Sequence, residues 1–177
     1  MTRPVINIDE LEFRGWGHGG APAATAGNSI PPERYAAKIG PIAPRIGAEK
    51  LGYSLIVVAP GKRGWPMHNH TVNEEMFFVV EGRGELRVGK ESYPLRAGDV
   101  IACPPGGPET AHQIVNTSDA ELKYLAISTR MSPDVTDYPD SNKFGVLVEL
   151  PPDADGKPRQ MRFVGRRETA VGYWDGE

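Results

Sequence analysis

The sequence predicts an all-β domain, and three observations predict it. Short apolar or alternating segments follow one another at near-regular spacing between residues 51 and 130. Turn residues separate them: Gly 21 and Pro 17 are high counts for 177 residues and favour many turns over long helices. No helical period of useful length appears in that stretch. A sandwich or barrel of short strands is the architecture that fits.

Length and charge bound the rest. A chain of 177 residues fits one domain with its own core. A net charge of -3 and a pI near 5.8 give no reason to expect nucleic acid or an anionic membrane as partner. No apolar run approaches the roughly 20 residues of a membrane span. The opening MTRPVINIDELEF lacks the apolar stretch of a signal peptide. Cys103 is the only cysteine, so no intramolecular disulfide forms. A cytoplasmic protein is the expectation.

Residues 1–50 read as an N-terminal arm that wraps the barrel. Within it INIDELEF predicts a short strand. The Gly-, Ala- and Pro-rich text that follows has no sustained period, and one short helical turn is expected near 33–38. His18 lies there among glycines as an exposed loop histidine. Residues 51–130 read as the barrel core. KLGYSLIVVAPG predicts a strand ending at a Pro-Gly turn, followed by strands at 65–70 and at Glu75–Glu81. Gly82-Arg83-Gly84 turns the chain into 85–88, and Gly89-Lys90 is a hairpin signal leading back through 91–95. Val100–Cys103 is a strand cut by Pro104-Pro105, and strands at 112–116 and 121–129 complete the core. Residues 131–177 read as a C-terminal extension packing on the barrel. SPDVTDYPDSNKFG is turn-rich, 144–150 is one strand, and 157–172 adds another pair.

Two stretches carry the chemistry. The first, GKRGWPMHNHTVNEEMFFVVEG, runs from Gly61 to Gly82 and holds His68, His70, Glu74 and Glu75. The second, GDVIACPPGGPETAHQIVN, holds His112. They read as the two halves of one metal site. Side chains two apart on a strand share a face, which places His68 and His70 about 6–7 Å apart on one side, with Asn69 facing away. Thr71-Val72-Asn73 reads as a corner, which resets that parity, so the pattern alone leaves Glu74 and Glu75 both open. Glu75, Phe77 and Val79 share one face, and Glu74, Met76, Phe78 and Val80 share the other. Both faces are apolar, as in a strand buried on two sides. Two or three histidines with one carboxylate suit Fe, Mn, Ni, Co or Zn. Positions left to water or substrate make such a site catalytic in type.

The same residues carry a family resemblance. His68, His70, Glu75 and Gly82 resemble the first motif of the cupins, and Gly98, Pro104, Gly106, His112 and Asn116 resemble the second. The resemblance covers about residues 51–130. It implies a cupin-type double-stranded β-helix, a small jelly-roll barrel, with one divalent metal held by His68, His70, Glu75 and His112. It also chooses Glu75 over Glu74. Gly61 stands one residue further from His68 than in the usual motif, and three extra residues lie between Gly106 and His112. NEEMFFVVEG, TAHQIVN and YPDSNK resemble a bacterial group of single-domain cupins of unassigned activity, some of them labelled by analogy as sugar-phosphate isomerases.

Several residues have plainer readings. Cys103 packs as a small apolar group, and Phe77 and Val79 line the barrel. Tyr138, Asp140 and Ser141 read as an ordinary turn that can also cover a pocket mouth. Arg63, Arg83 and Arg87 are solvated surface or anion-binding groups. Glu74 and Tyr138 are the weak candidates for a catalytic base. The ligand is a small polar or anionic molecule. Three functions share these ligands: a metal-dependent isomerase or lyase on a sugar, sugar phosphate or keto acid, an iron-dependent dioxygenase, and a non-catalytic binding protein. The two-sided strand Met76–Val80 and the long arm point to a homodimer.

Overall fold

The computed structural model describes residues 3–20 and 31–177. Fourteen elements follow in chain order: β1 (Arg14–Gly17), β2 (Ala36–Pro41), α1 (Ala43–Ile46), β3 (Leu51–Val58), β4 (Asn69–His70), β5 (Glu75–Glu81), β6 (Arg83–Val88), β7 (Glu91–Arg96), β8 (Val100–Cys103), β9 (His112–Val115), β10 (Leu122–Thr129), β11 (Asp134–Tyr138), β12 (Lys143–Leu150) and β13 (Arg159–Gly165). They form three sheets, ordered β1-β2-β3-β10-β5-β8, β7-β6-β9 and β13-β12-β11-β4. Every pairing between these strands is antiparallel. Among the described residues no helix is long and apolar enough to cross a membrane.

The first two sheets face one another across the core. Ile56, Val58, Phe77, Val79, Leu122 and Tyr124 come from the large sheet, and Leu86, Leu95 and Ile114 from the small one. Each fully buried aliphatic side chain here contributes roughly 1.5–3 kcal/mol. The unbroken apolar run of β3 has the same cause as that of β5. Ile56 and Val58 point inward, while Leu55 packs outward with Leu11 and Ile42. Val80, on the outer face of β5, joins that second cluster together with Ile6 and Ile46. Phe78, on the same face, stays 37% exposed.

Five expectations need correction. The segment INIDELEF forms a single 3-10 turn at Ile8–Glu10 rather than a strand. Asn7 accepts from the Asp9 amide at 2.9 Å, and Glu10 reaches back to the Asn7 amide at 3.0 Å, a capping box that competes with extension. In place of a helical turn at 33–38 the chain enters β2, whose Ala37 and Ile39 are buried on either side of exposed Lys38. That is the period of a strand. Of the strand expected at 65–70 only Asn69–His70 pairs as β4, because Pro66 offers no donor. The expected pair at 157–172 is one strand, β13, followed by a short 3-10 turn. The turn-rich 131–138 also contains β11, held between β12 and β4. The arm expected over 1–50 includes residues 21–30, which lie outside the described residues.

Gly82, between β5 and β6, has φ +91°, and a Cβ there would stand 2.5 Å from the Glu121 carbonyl oxygen. Both the left-handed backbone and the backbone contact demand glycine. Gly82→Ala is therefore expected to lower stability by more than about 1 kcal/mol, read from urea unfolding.

Candidate metal centre

The site is assembled by backbone pairing before any side chain is considered. His68 and His112 face each other in an isolated antiparallel bridge. His68 N donates to His112 O at 3.1 Å, and His112 N donates to His68 O at 2.8 Å. Their rings lie 4.8 Å apart, and those of His68 and His70 5.2 Å apart. The loop carrying the second motif is tied to the first by two more bonds. Asn69 Nδ2 donates to Gly106 O at 2.8 Å, and Gly106 N donates to His70 O at 2.9 Å. Asn69 is turned away from the two histidines by strand parity, and it is fully buried there.

Thr71-Val72-Asn73 is a corner, and Asn73 holds it. Its Oδ1 accepts from Thr129 Oγ1 at 2.9 Å and from Met131 N at 2.7 Å. Its Nδ2 donates to Met131 O at 3.0 Å and to Asp134 Oδ2 at 2.9 Å. The corner resets the parity so that Glu75, not Glu74, turns inward. Glu74 is exposed and does not line the cavity; its backbone N–H donates to Thr129 Oγ1 at 3.0 Å.

Glu75 Oε2 collects all three imidazoles. It lies 3.0 Å from His112 Nε2, 3.5 Å from His68 Nε2 and 3.6 Å from His70 Nε2. One donor atom each from His68, His70 and Glu75 lies within 4.8 Å of the others. The opposite ring nitrogens are each given an acceptor. His68 Nδ1 donates to Pro66 O at 2.9 Å, His112 Nδ1 to Thr110 O at 3.3 Å and His70 Nδ1 to Asp134 Oδ2 at 2.5 Å. Carbonyls and an ionised carboxylate only accept, so the Nδ1 atoms carry the protons. Three Nε2 lone pairs then face a carboxylate oxygen. Four electron-pair donors in one place need a shared cation, and the donor set fits a divalent metal ion. Burial acts to raise the Glu75 pKa. Where the rings are protonated at Nε2 as well, hydrogen bonds from His112 and His68 and charge on His68 and His70 override it and hold the carboxyl below the usual range.

Asp134 escaped the sequence reading. It sits at the start of β11, 3% exposed, and touches His70 Nδ1, Asn73 Nδ2 and the Val72 amide, the last at 3.1 Å. Burial would raise its pKa, but the bonds from Asn73 and His70 win and lower it. Its only signal was an acidic residue in a strand otherwise rich in Val, Thr and Tyr.

The cavity beside the cluster holds about 540 Å³, within the range of small-molecule sites. His68, Glu75 and His112 share its lining with Phe77 and Tyr124. Burial, then the Glu75 charge, keeps the Tyr124 hydroxyl protonated. Cys103 lies next to Glu75 in the β5–β8 register, 3% exposed; burial, then the Glu75 charge, pushes its thiol up to about 12. Tyr138 stacks on His68 at 6.3 Å between ring centres. Arg63, Arg83 and Arg87 are absent from the lining. Arg87 is held bidentate by Asp140 at 2.9 and 3.2 Å and also reaches Gln113, which Arg63 contacts at 3.4 Å. His18 is exposed and contacts Pro31 O.

Residues 54–128 match the family model of the cupin domain. This stretch is a cupin domain. A sugar phosphate isomerase of the cupin superfamily from Silicibacter pomeroyi superposes with a TM-score of 0.71 at 24% identity, over 97% of this chain and 98% of that one. A candidate sugar phosphate isomerase from Acidithiobacillus ferrooxidans gives 0.60 at 28% identity, over 71% and 76%. The oxalate-binding protein of Thermotoga maritima is 30% identical over 61 residues, 34% of this chain and 48% of that protein. The cupin spans about half the length of the curated relatives it matches, 47%, 54% and 48%.

Asp134 gives a pH test. Its folded-state value lies below the ordinary 3.8, so its contribution to stability is complete above that value. The contribution is lost as pH falls through the lower folded value. Asp134→Asn is expected to lower the urea midpoint at neutral pH and to flatten its acid dependence. Nitrogen NMR of the His70 ring should show the Nδ1–H tautomer in the wild type and a mixture in the variant.

Proposed function

We propose that this cupin is a metal-dependent isomerase acting on a small sugar phosphate, with one divalent ion held by His68, His70, Glu75 and His112. The observation that carries the reading is the convergence of three Nε2 atoms on one buried carboxylate oxygen. When bound, the ion polarises a carbonyl and stabilises the negative charge that develops on it. The residues around it have separate tasks. Asp134 and Pro66 fix two of the imidazoles in orientation and tautomer. Phe77, Ile56 and Ile114 make the cavity floor apolar and exclude water. Glu75 is the one carboxylate in the lining. Its Oε2 takes the histidines, which leaves the ionised Oε1 to accept a hydrogen bond from a substrate hydroxyl. Tyr124, which keeps its proton, is the hydroxyl available to donate a hydrogen bond to a substrate oxygen. The Silicibacter pomeroyi and Acidithiobacillus ferrooxidans relatives support the substrate class by their names.

Metal analysis of protein purified without chelator tests the ligands. One equivalent of ion is expected in the wild type and none in His68→Ala/His112→Ala. Glu75→Gln should weaken the ion far more than Glu74→Gln, since a buried anionic ligand acts in a low dielectric and an exposed one is screened. Full retention of the ion by the double histidine variant would falsify the reading. Proton NMR in deuterium oxide, with aldose and ketose phosphates as substrates, should show exchange at the carbon beside the carbonyl.

The same reading extends to a homodimer. Phe78 and Val100 are register partners on β5 and β8, 37% and 68% exposed, at the outer edge of the large sheet. An exposed apolar pair beside a sheet edge is unusual for a monomer, and two-fold pairing is the commonest way to cover it. Light scattering over a dilution series should give twice 19.3 kDa and a monomer for Phe78→Asp. A wild-type mass near 19.3 kDa at micromolar concentration would exclude the dimer.

A further inference from the structure

On the cavity side of the large sheet, β3 and β10 change character along their ladder. Ile56 and Tyr124 are register partners, then Ser54 and Ala126, then Gly52 and Ser128. The Arg130 amide donates to Lys50 O at 3.0 Å and carries the pairing past the end of β10. Side chains two apart share a face, so Arg130 follows Tyr124, Ala126 and Ser128 on the inner side and lines the cavity with them. Gly52 makes the room. A Cβ there would stand 4.0 Å from both Arg130 Cγ and Cδ, so the arginine stem lies across the bare glycine. Glu75 is the register partner of Ser128, which sets the histidine cluster close to this end of the ladder.

Charge at that end is scarce. Apart from the histidines, the charged lining residues are Glu75, Arg14 and Arg130. Arg14 stands elsewhere: Arg14, Ile39, Ile56 and Tyr124 are successive register partners, level with the apolar end of the cavity. Arg130 is the guanidinium on the cluster's side, and it uses little of its fork. Of five N–H groups, one makes a side-chain bond among the described residues: Nη2 donates to Glu149 Oε1 at 3.3 Å, between side chains 48% and 47% exposed. Glu149 reaches it from β12 of the third sheet and is not part of the lining. A single long contact between half-exposed side chains is weak and yields to a better acceptor.

Resting on the sugar phosphate reading above, we propose that Arg130 is the phosphate anchor of this cupin and that Glu149 is its resting partner, an internal carboxylate that the phosphate displaces. A phosphate monoester has three free oxygens and up to two charges, and it takes a guanidinium through two parallel bonds where Glu149 supplies one. A neutral sugar offers Arg130 nothing that Glu149 does not already give, so the pair selects phosphorylated substrates. Arg130 is two residues beyond the level of Glu75, about 7 Å along the strand. A short-chain sugar phosphate anchored there lays its carbonyl end toward the histidine cluster. The sequence reading had looked for this role in Arg63, Arg83 and Arg87, none of which lines the cavity.

Calorimetry with ribose 5-phosphate and ribose on metal-loaded protein tests both residues. The wild type is expected to bind ribose 5-phosphate at least about tenfold more tightly than ribose, and Arg130→Gln should remove most of that preference. Glu149→Gln should act in the opposite sense and tighten ribose 5-phosphate about two- to fivefold, because the competitor is gone. In the double variant that gain should vanish, which tells displacement at Arg130 from a general loss of negative charge. Both side chains are exposed, so the variants should fold with unchanged metal content, which unfolding midpoints and metal analysis check. Chelator-treated protein separates this inference from the isomerase reading: inorganic phosphate should bind the wild type more tightly than Arg130→Gln even where no sugar phosphate is turned over. An undiminished preference in Arg130→Gln overturns the anchor, and a Glu149→Gln gain that survives in the double variant overturns the displacement. A wild type with no saturable ribose 5-phosphate binding below about 10 mM overturns both.

Discussion

A carboxylate enclosed in an apolar barrel is the constraint around which the rest of this structure is arranged. Glu75 shares its strand face with Phe77 and Val79, two buried residues of the core. Left alone there, an ionised carboxylate loses several kcal/mol of hydration, and protonation would be the cheaper state. A cation shared with three imidazoles would reverse that preference, and each ring needs its own fixed orientation to share it. Two of the three are set by the backbone of the chain beside them, through Pro66 O and Thr110 O. The third, on His70, is set by Asp134, a second buried carboxylate, which brings in Asn73 and the Val72 amide as its own donors. Burying one charge has thus organised two strands, a corner and part of the C-terminal segment.

The barrel was legible because its text is periodic and well punctuated. From residue 51 to 130 the turns stand at Gly82, Gly89-Lys90 and Gly98-Asp99, and strands fall between them. The two-sided apolar character of β5 was readable too, since Met76–Val80 has no polar member, and the arm supplies part of the outer cover, at Val80. Legibility failed where side chains compete with the backbone or where pairing comes from far away. Asn7 and Glu10 cap each other's backbone and close a turn that hydrophobic pattern alone called extended. β11 reads as a turn because Pro, Asp and Ser surround it, and only its two neighbours make it a strand.

The site was legible by type and not by parity. Three histidines and a glutamate in two Gly- and Pro-rich stretches marked the chemistry, yet strand parity could not choose between Glu74 and Glu75. The choice is made by four hydrogen bonds of Asn73, two of them to Met131, fifty-eight positions further on. No local pattern encodes a contact at that separation. Asp134 is hidden for the same reason: it is sixty-four positions from His70 and carries no motif.

That separation has a structural consequence. The cupin match ends at residue 128, and Met131 and Asp134 both lie beyond it. The matched domain contains the four residues that converge, but not the groups that hold the corner or orient His70. β4, which carries His70, pairs with β11 and not with a strand of the two core sheets. The third sheet is therefore part of the site's scaffold. A core truncated at residue 128 would keep the two backbone bonds between His68 and His112 while losing the partner strand of His70. Two of the four converging side chains depend on the C-terminal segment, His70 through Asp134 and β11 and Glu75 through the corner that Asn73 ties to Met131 and Asp134, and any motion of β11 reaches the cluster through them.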